Sequence, residues 1–184
     1  MDSRLVKRAQ DGDERAFEAL VVAVHPTLFR VGFGITRDAE SAEDAAQRAL
    51  LDAWRFLGRL RDRSAFLPWS LSFLVPALRK AVEAKGQAPV EPADPEGTPS
   101  RDPFGTVVDR DQLSRAFSRL SFDDRAALVL RYRADLDAGA VATALGVRTA
   151  EAEKRMAAAL RALSAAIDSD PTSTRELVPQ AEGA

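Results

Sequence analysis

Apolar residues recur at helical spacing wherever the chain is apolar at all. Phe17, Leu20, Val21, Val24, Leu28 and Val31 fall three or four apart, one stripe of a 3.6-residue period. Pro26 lies inside it and is expected to kink or restart the helix, because proline lacks the donor and clashes with the preceding turn. Ala42, Ala45, Ala46, Ala49, Leu50, Ala53, Trp54 and Leu57 repeat alternately three and one apart. That spacing predicts an amphipathic helix with a narrow, alanine-rich face, Ser41 as its cap and Trp54 in the core. Residues 64–85 are apolar again and carry Pro68, suited to an opening turn, and Pro76, expected to kink or break the helix.

Further helical patterns cover about 106–119, 122–134, 137–145 and 149–167. No stretch of useful length alternates with period two. The fold class is therefore all-α: two small helical bundles joined by a Pro/Gly-rich acidic linker, the second containing a helix-turn-helix. Residues 86–105 hold five of the ten prolines and little that a core could use, marking the linker. The expected organisation is 1–85 as the first bundle, 106–167 as the second, and 168–184 as a disordered tail.

The helix-turn-helix rests on AGAVATALGVRTAEAEKRMAAAL (138–160). A short helix ends at Leu145, Gly146 permits a tight turn, Val147 packs into the gap and a longer helix starts near Thr149. Ala142 is small enough for a close helix crossing. A plain helical hairpin ending at a glycine cap reads the same residues equally well. On the second helix Met156, Leu160 and Leu163 are expected inside, with Glu153, Lys154, Ala157, Ala158 and Arg161 outside.

Composition removes several chemistries. The chain has no cysteine and one histidine, so thiolate metal sites, disulfides, thiol nucleophiles and multi-histidine centres are excluded; no metal and no cofactor is implied. No glycine-rich phosphate loop or nucleophile–base pair is present, which argues against an enzyme. The apolar stretch 21–35 is interrupted by His25, Pro26 and Arg30 and falls short of the ~20 residues of a membrane span. No membrane insertion is expected, and a cytoplasmic location is the default. His25 is expected to pack at a helix junction.

Charge adds a pattern that the net value of −2 hides. Residues 1–85 carry 14 Lys/Arg against 12 Asp/Glu, and 106–167 carry 10 against 8. The linker and tail are each acidic. Two weakly basic blocks thus flank an acidic tether. Arg59, Arg61 and Arg63 alternate just before Phe66 and Trp69, a mixture of guanidinium groups and rings that suits single-stranded DNA, although charge runs are often only solvated surface.

Three segments carry a family resemblance. SRLVKRAQDGDERAFEALV (3–21), AEDAAQRALLDAWR (42–55) and SAFLPWSLSFL (64–74) appear in order before LSRAFSRLSFDDRAALVLRY (113–132) and the helix-turn-helix. Together they resemble bacterial RNA polymerase sigma factors of the extracytoplasmic-function type, over nearly all of 3–167. The resemblance implies that helix 42–55 docks on core RNA polymerase through Asp44, Gln47, Arg48, Trp54 and Arg55. It implies DNA contacts from Arg59, Arg61, Arg63, Trp69, Arg79 and Lys80 at the melted promoter, and from Arg148, Thr149, Lys154, Arg155 and Arg161 at the upstream element. Lys154 and Arg155 are the leading DNA candidates. An anti-sigma protein is a possible further partner.

The chain departs from the family pattern in several places. Arg48 stands where an acidic residue is common; Ser72, Val75 and Pro76 replace polar positions of the melting helix; Glu153 and Ala157-Ala158 replace basic ones in the reading helix. These departures keep a second function open, a sigma-like decoy or adaptor that binds an anti-sigma protein or polymerase without reading DNA. A plain helix-turn-helix repressor leaves the first bundle unexplained.

Overall fold

A computed structural model describes residues 2–85 and 110–169, and every regular element among them is helical. The expected linker lies outside the described residues, as does the expected tail beyond Ser169. In chain order the helices are α1 (Ser3–Gln10), α2 (Glu14–Thr36), α3 (Ala39–Phe56), α4 (Phe66–Lys85), α5 (Arg110–Ser118), α6 (Phe122–Leu128), α7 (Ala138–Leu145) and α8 (Thr149–Asp168). Two 3₁₀ turns, Leu57–Arg59 and Arg63–Ala65, join α3 to α4, and a π-turn over Val129–Arg133 extends α6.

Short polar side chains start these helices. Asp2, Asp13, Asp38, Ser121 and Asp137 each accept a backbone N–H of the first turn they precede. The cap of α3 is Asp38 and not the expected Ser41, because Asp38 is the residue outside the first turn. Ser41 instead donates its hydroxyl to Asp38 Oδ2 at 2.6 Å. Lys85, from the far end of α4, pairs with Asp38 and Glu40, tying the end of α4 to the start of α3.

α2 and α4 run unbroken through Pro26 and Pro76, contrary to the expected kink or break. Both prolines lie on exposed sides of their helices. The carbonyl that Pro26 leaves without a partner belongs to Val22, which is 76% exposed, so water can serve it. By length and composition α2 is long and apolar enough to cross a membrane, which the sequence stretch 21–35 was too short to suggest. Its stripe of Leu20, Val24, Leu28, Val31 and Ile35 is buried against its neighbours α1, α3 and α4.

The alanine face of α3 is buried as expected, but Trp54 is not: it keeps 40% of its surface in solvent while its ring tilts against Phe17 at a centroid distance of 4.5 Å. The later helices surround a small cluster of Ala116, Leu120, Ala127, Leu128, Ala159 and Leu163. The remaining apolar residues of α6, the π-turn and α7 do not close on themselves. Ala126, Val129, Leu130, Val141, Ala142 and Ala144 join the core of α1–α4 in one continuous cluster. The two groups of helices therefore meet along a seam, with α7 laid on α4 and the π-turn on α2.

Candidate functional site

Three surfaces carry the residues singled out from the sequence. The first lies where α3 ends and α4 begins. Phe66 is fully buried and anchors a strip of rings: Trp69 at 6.2 Å, Phe73 edge-on to Trp69 at 4.9 Å, and Phe56 stacked on Phe73 at 6.0 Å. Trp69, Phe73 and Phe56 are only half-buried. The guanidinium of Arg59 sits 4.8 Å from the Phe56 ring centre and that of Arg55 at 5.6 Å. Partly exposed rings beside stacked cations are what unpaired bases and their phosphates require. Arg61 is exposed in the same loop. Arg63 is turned inward instead, donating to Gln10 Oε1 at 2.7 Å. Phe56 and Phe73 were missed from sequence; Phe73 follows Trp69 by four and so shares its helix face.

The second surface is the outer face of α3. Asp44, Gln47, Arg48, Trp54 and Arg55 are all exposed there. Leu51, 66% exposed, stands among them and was also missed. Its signal is simple: it lies beside the three-and-one stripe, so an apolar side chain is left outside the buried face. At one end Gln47 Nε2 donates to Glu43 Oε1 at 2.9 Å, and His25 Nε2 lies 3.1 Å from the same oxygen. These hydrogen bonds, Gln47's first, hold the Glu43 carboxyl below the usual range. His25 thus lies midway along the unbroken α2 and reaches across to α3, not at the junction of helices expected from the proline beside it.

The third surface is the helix-turn-helix. Asp137 Oδ1 accepts the Ala140 N–H at 2.8 Å to start α7. Gly146 ends it at φ 66°, a left-handed conformation that glycine adopts without a side-chain clash, and the Val147 N–H returns to Ala142 O at 3.0 Å. Ala142, Ala144 and Ala152 are buried where the helices cross. The inner face of α8 is Ala152, Ala159 and Leu163; Met156 and Leu160 are only half-buried, so the buried stripe is shifted from the expected one.

Arg148, Thr149, Glu153, Lys154, Ala157 and Arg161 are exposed along α8, while Ala158 is half-buried. Arg155 is half-buried and donates to Glu151 Oε1 at 3.0 Å. That bond, helped by the charges of Lys154 and Arg148, holds the Glu151 carboxyl low. α8 thus carries Glu151 and Glu153 among its cations Lys154, Arg155 and Arg161, with Arg148 at its cap. Of the two basic residues in the middle of α4, Lys80 is exposed. Arg79 is engaged, pairing with Asp123 and lying 4.5 Å from the Phe122 ring centre. Among the described residues, no three His, Asp or Glu side chains are grouped to hold a metal ion.

Comparison with known proteins follows the same division. The model of Sigma-70 region 2 matches residues 20–85, from within α2 to the end of α4. The chain is 32% identical over 162 residues to the ECF RNA polymerase sigma factor SigM of Mycobacterium tuberculosis, covering 86% of this chain and 80% of SigM. The chain belongs to the ECF sigma factor family. It is also 30% identical over 161 residues to the "Probable RNA polymerase sigma factor RfaY" of Xanthomonas campestris, covering 82% of this chain but only 40% of RfaY. The chain thus spans less than half the length of that relative. Among solved folds it is similar to the sigma factor RpoE from Bartonella quintana, solved in complex with the anti-sigma factor NepR. That match has a TM-score of 0.60 and 19% identity, covering 84% of this chain and 98% of RpoE. The SigM match covers 86% of this ECF sigma factor, more than either side of the seam holds alone, so family membership applies to both.

Proposed function

We propose that this chain binds core RNA polymerase and directs it to promoter DNA, acting in the cytoplasm and catalysing nothing itself. The outer face of α3 docks on polymerase through Arg48, Leu51, Trp54 and Arg55, with Asp44 and Gln47 at its rim. The strip of Phe56, Trp69 and Phe73, with Arg55, Arg59 and Arg61, receives bases and phosphates of the opened promoter. The first turns of α8 enter the major groove of the upstream element, led by Arg148, Thr149 and Lys154, with Arg161 further along. Two readers on one tether gain affinity through effective concentration.

The observation that carries this reading is the half-exposed ring strip flanked by guanidinium groups, on the segment that matches Sigma-70 region 2. Run-off transcription by purified core polymerase on fragmented genomic DNA tests it. Discrete transcripts that depend on the added chain are expected; none at saturating chain would refute it.

One set of contacts favours a second reading, an adaptor or decoy that occupies polymerase or an anti-sigma protein without reading DNA. Arg79 and Arg155 are spent on Asp123 and Glu151, and Glu153 faces outward on α8. Core binding without promoter opening would identify that function. RpoE, solved with NepR, supports an anti-sigma protein as the further partner class.

A further inference from the structure

Positive charge gathers at the end of α2. Arg37, the residue after Thr36, adopts φ 57° and ψ 22°, the left-handed region that favours glycine. Arg30 stands about two turns before it on the same helix. From across the seam the π-turn comes so close that a Cβ built on Gly34 would stand 3.1 Å from Val129 Cγ1 and 3.4 Å from Arg133 Nη1. Arg125, 6% exposed, donates through Nε to Ile35 O at 2.8 Å and through Nη1 to Leu120 O at 2.7 Å. Arginines from three segments thus surround one helix end, in a chain whose net charge is −2.

A helix C-terminus attracts cations, but the carbonyls here already have partners. Thr36 Oγ1 donates to Gly32 O at 2.9 Å, the Arg37 N–H to Phe33 O at 2.8 Å, and Arg125 holds Ile35 O. Arg30 and Arg133 are exposed, and neither enters an ion pair among the described residues. Arg30 Nη2 donates to Thr27 Oγ1 at 3.2 Å. Burial, and then the charge of Arg30, holds the Arg133 guanidinium below its usual range; burial, then Arg133 and Arg125, does the same for Arg37. Like charges brought this close oppose folding, and an anion seated among them removes the opposition.

The same side of α2 carries an aromatic pair. Phe29 and Phe33 stack at 6.2 Å with 12° between their planes, and both are half-buried. At about 100° per residue, Arg30 stands between this pair and Gly34, where Arg133 approaches. Rings, Arg30 and Arg133 therefore follow one another around the helix. Planar guanidinium forks suit phosphate oxygens, and ring faces suit a base. The cations fall within about two helical turns, roughly 11 Å, which fits phosphates joined directly to one another better than phosphates spread along a strand. From these relations we infer that the end of α2 binds a nucleoside carrying two or more linked phosphates. Its phosphates lie on Arg30 and Arg133, in the field of Arg37, and its base lies against the Phe29–Phe33 pair. The site uses none of the residues assigned above to polymerase or DNA, so it stands apart from the promoter-directing reading.

Isothermal titration calorimetry of the full chain with adenosine diphosphate tests this. Saturable binding is expected, tighter than for inorganic pyrophosphate, which lacks the base, and tighter than for adenosine monophosphate, which lacks the second phosphate. Arg30→Gln and Arg133→Gln should each weaken it about tenfold or more, the worth of a charge-assisted hydrogen bond. Arg15→Gln, exposed at the far end of α2, should leave it unchanged. Thermal denaturation adds a readout that a purely structural role would not give. Without ligand both Gln variants should melt no lower than the parent, since each removes a repulsion, and adenosine diphosphate should raise the parent's Tm more than theirs. No saturable binding, undiminished affinity in both Gln variants, pyrophosphate as tight as the nucleotide, or a lowered Tm in both variants would each overturn the inference. A single-stranded oligothymidylate that binds more tightly than adenosine diphosphate, and loses affinity in the same variants, would overturn it in favour of a nucleic-acid strand.

Discussion

Arg63 Nε donates to Gln10 Oε1 at 2.7 Å, joining two residues 53 positions apart. The same amide donates through Nε2 to Leu57 O at 3.1 Å and Leu60 O at 2.8 Å. One glutamine at the end of α1 thus holds the loop that carries the basic residues. Gln10→Ala removes all three bonds from a half-buried site and should cost about 1–3 kcal/mol, with Tm falling by about 2–4 °C per kcal/mol. Arg61→Ala, in the same loop but exposed, should leave Tm unchanged and weaken promoter opening. Thermal denaturation alongside permanganate footprinting separates the two.

Leu51 and Arg48 share the outer face of α3, and neither contributes to the core. Leu51→Asp should lower core polymerase affinity by about tenfold or more, as for an apolar anchor, with stability changed by less than about 0.5 kcal/mol. Arg48→Glu should shift affinity as well, and its sign is informative. Weaker binding means the polymerase surface is matched to an arginine; stronger binding means Arg48 is an unmatched charge. Surface plasmon resonance against core polymerase reads both. Unaltered affinity in both variants would place the docking face elsewhere.

Glu153 faces outward one turn before Ala157, in the part of α8 that would lie against the groove. Glu153→Lys should raise affinity for specific and non-specific duplex alike, since a phosphate contact carries no sequence information. The log–log salt dependence should steepen by about 0.9 for one added contact. Fluorescence anisotropy across a salt series measures both slopes, and coincident curves would mean that α8 does not face DNA.

Acid should loosen the helix starts. Lys85 and then Ser41 hold the Asp38 carboxyl below its ordinary range, and Arg8 does the same for Asp13. A carboxylate depressed in the folded state contributes stability above its unfolded pKa, and that contribution disappears as pH falls through the folded value. Tm should therefore stay level from neutral pH down to the ordinary aspartate range and drop below it. Asp38→Asn should start lower and fall less steeply, which a Tm series against pH in the two proteins would show.

Proteolysis tests the division proposed at 86–105. A protease active at Pro/Gly-rich sequence should cut there first, leaving fragments of about 1–85 and 106–167. Because residues of both groups share one apolar cluster, the fragments should still elute together on size exclusion. Separate elution would show that the seam does not hold without its tether.

Much of the fold could be read from local spacing. Leu145-Gly146-Val147 announces the turn before α8, and the alanine periodicity of α3 fixes its buried face, because both depend on neighbours within one or two turns. Pro26 and Pro76 misled because the sequence does not say that they sit on exposed sides, where a carbonyl without its donor meets water. Trp54 misled because the stripe names a face and not the width that α2 covers. The charges were legible as an inventory but not as free groups: Arg63 is claimed by Gln10, Arg79 by Asp123 44 positions away, and only Arg155 by a partner four residues off. The seam left no trace in the pattern, since Gly34, Val129 and Arg125 are ordinary residues until two distant helices bring them together.

The π-turn at Val129–Arg133 fits one more residue into its coil than an α-helix would hold. Each residue of an α-helix advances the chain by about 100°. That single surplus position therefore sets the compass bearing of everything downstream, α7 and α8 included, relative to α6. Deleting one residue between 129 and 133 would preserve each helix in composition and turn the helix-turn-helix about its own support, aiming Lys154 and Arg161 at a different quarter of the molecule's surroundings. The bearing of α8 is thus set as a phase, one residue deep, in a segment outside the helix-turn-helix itself.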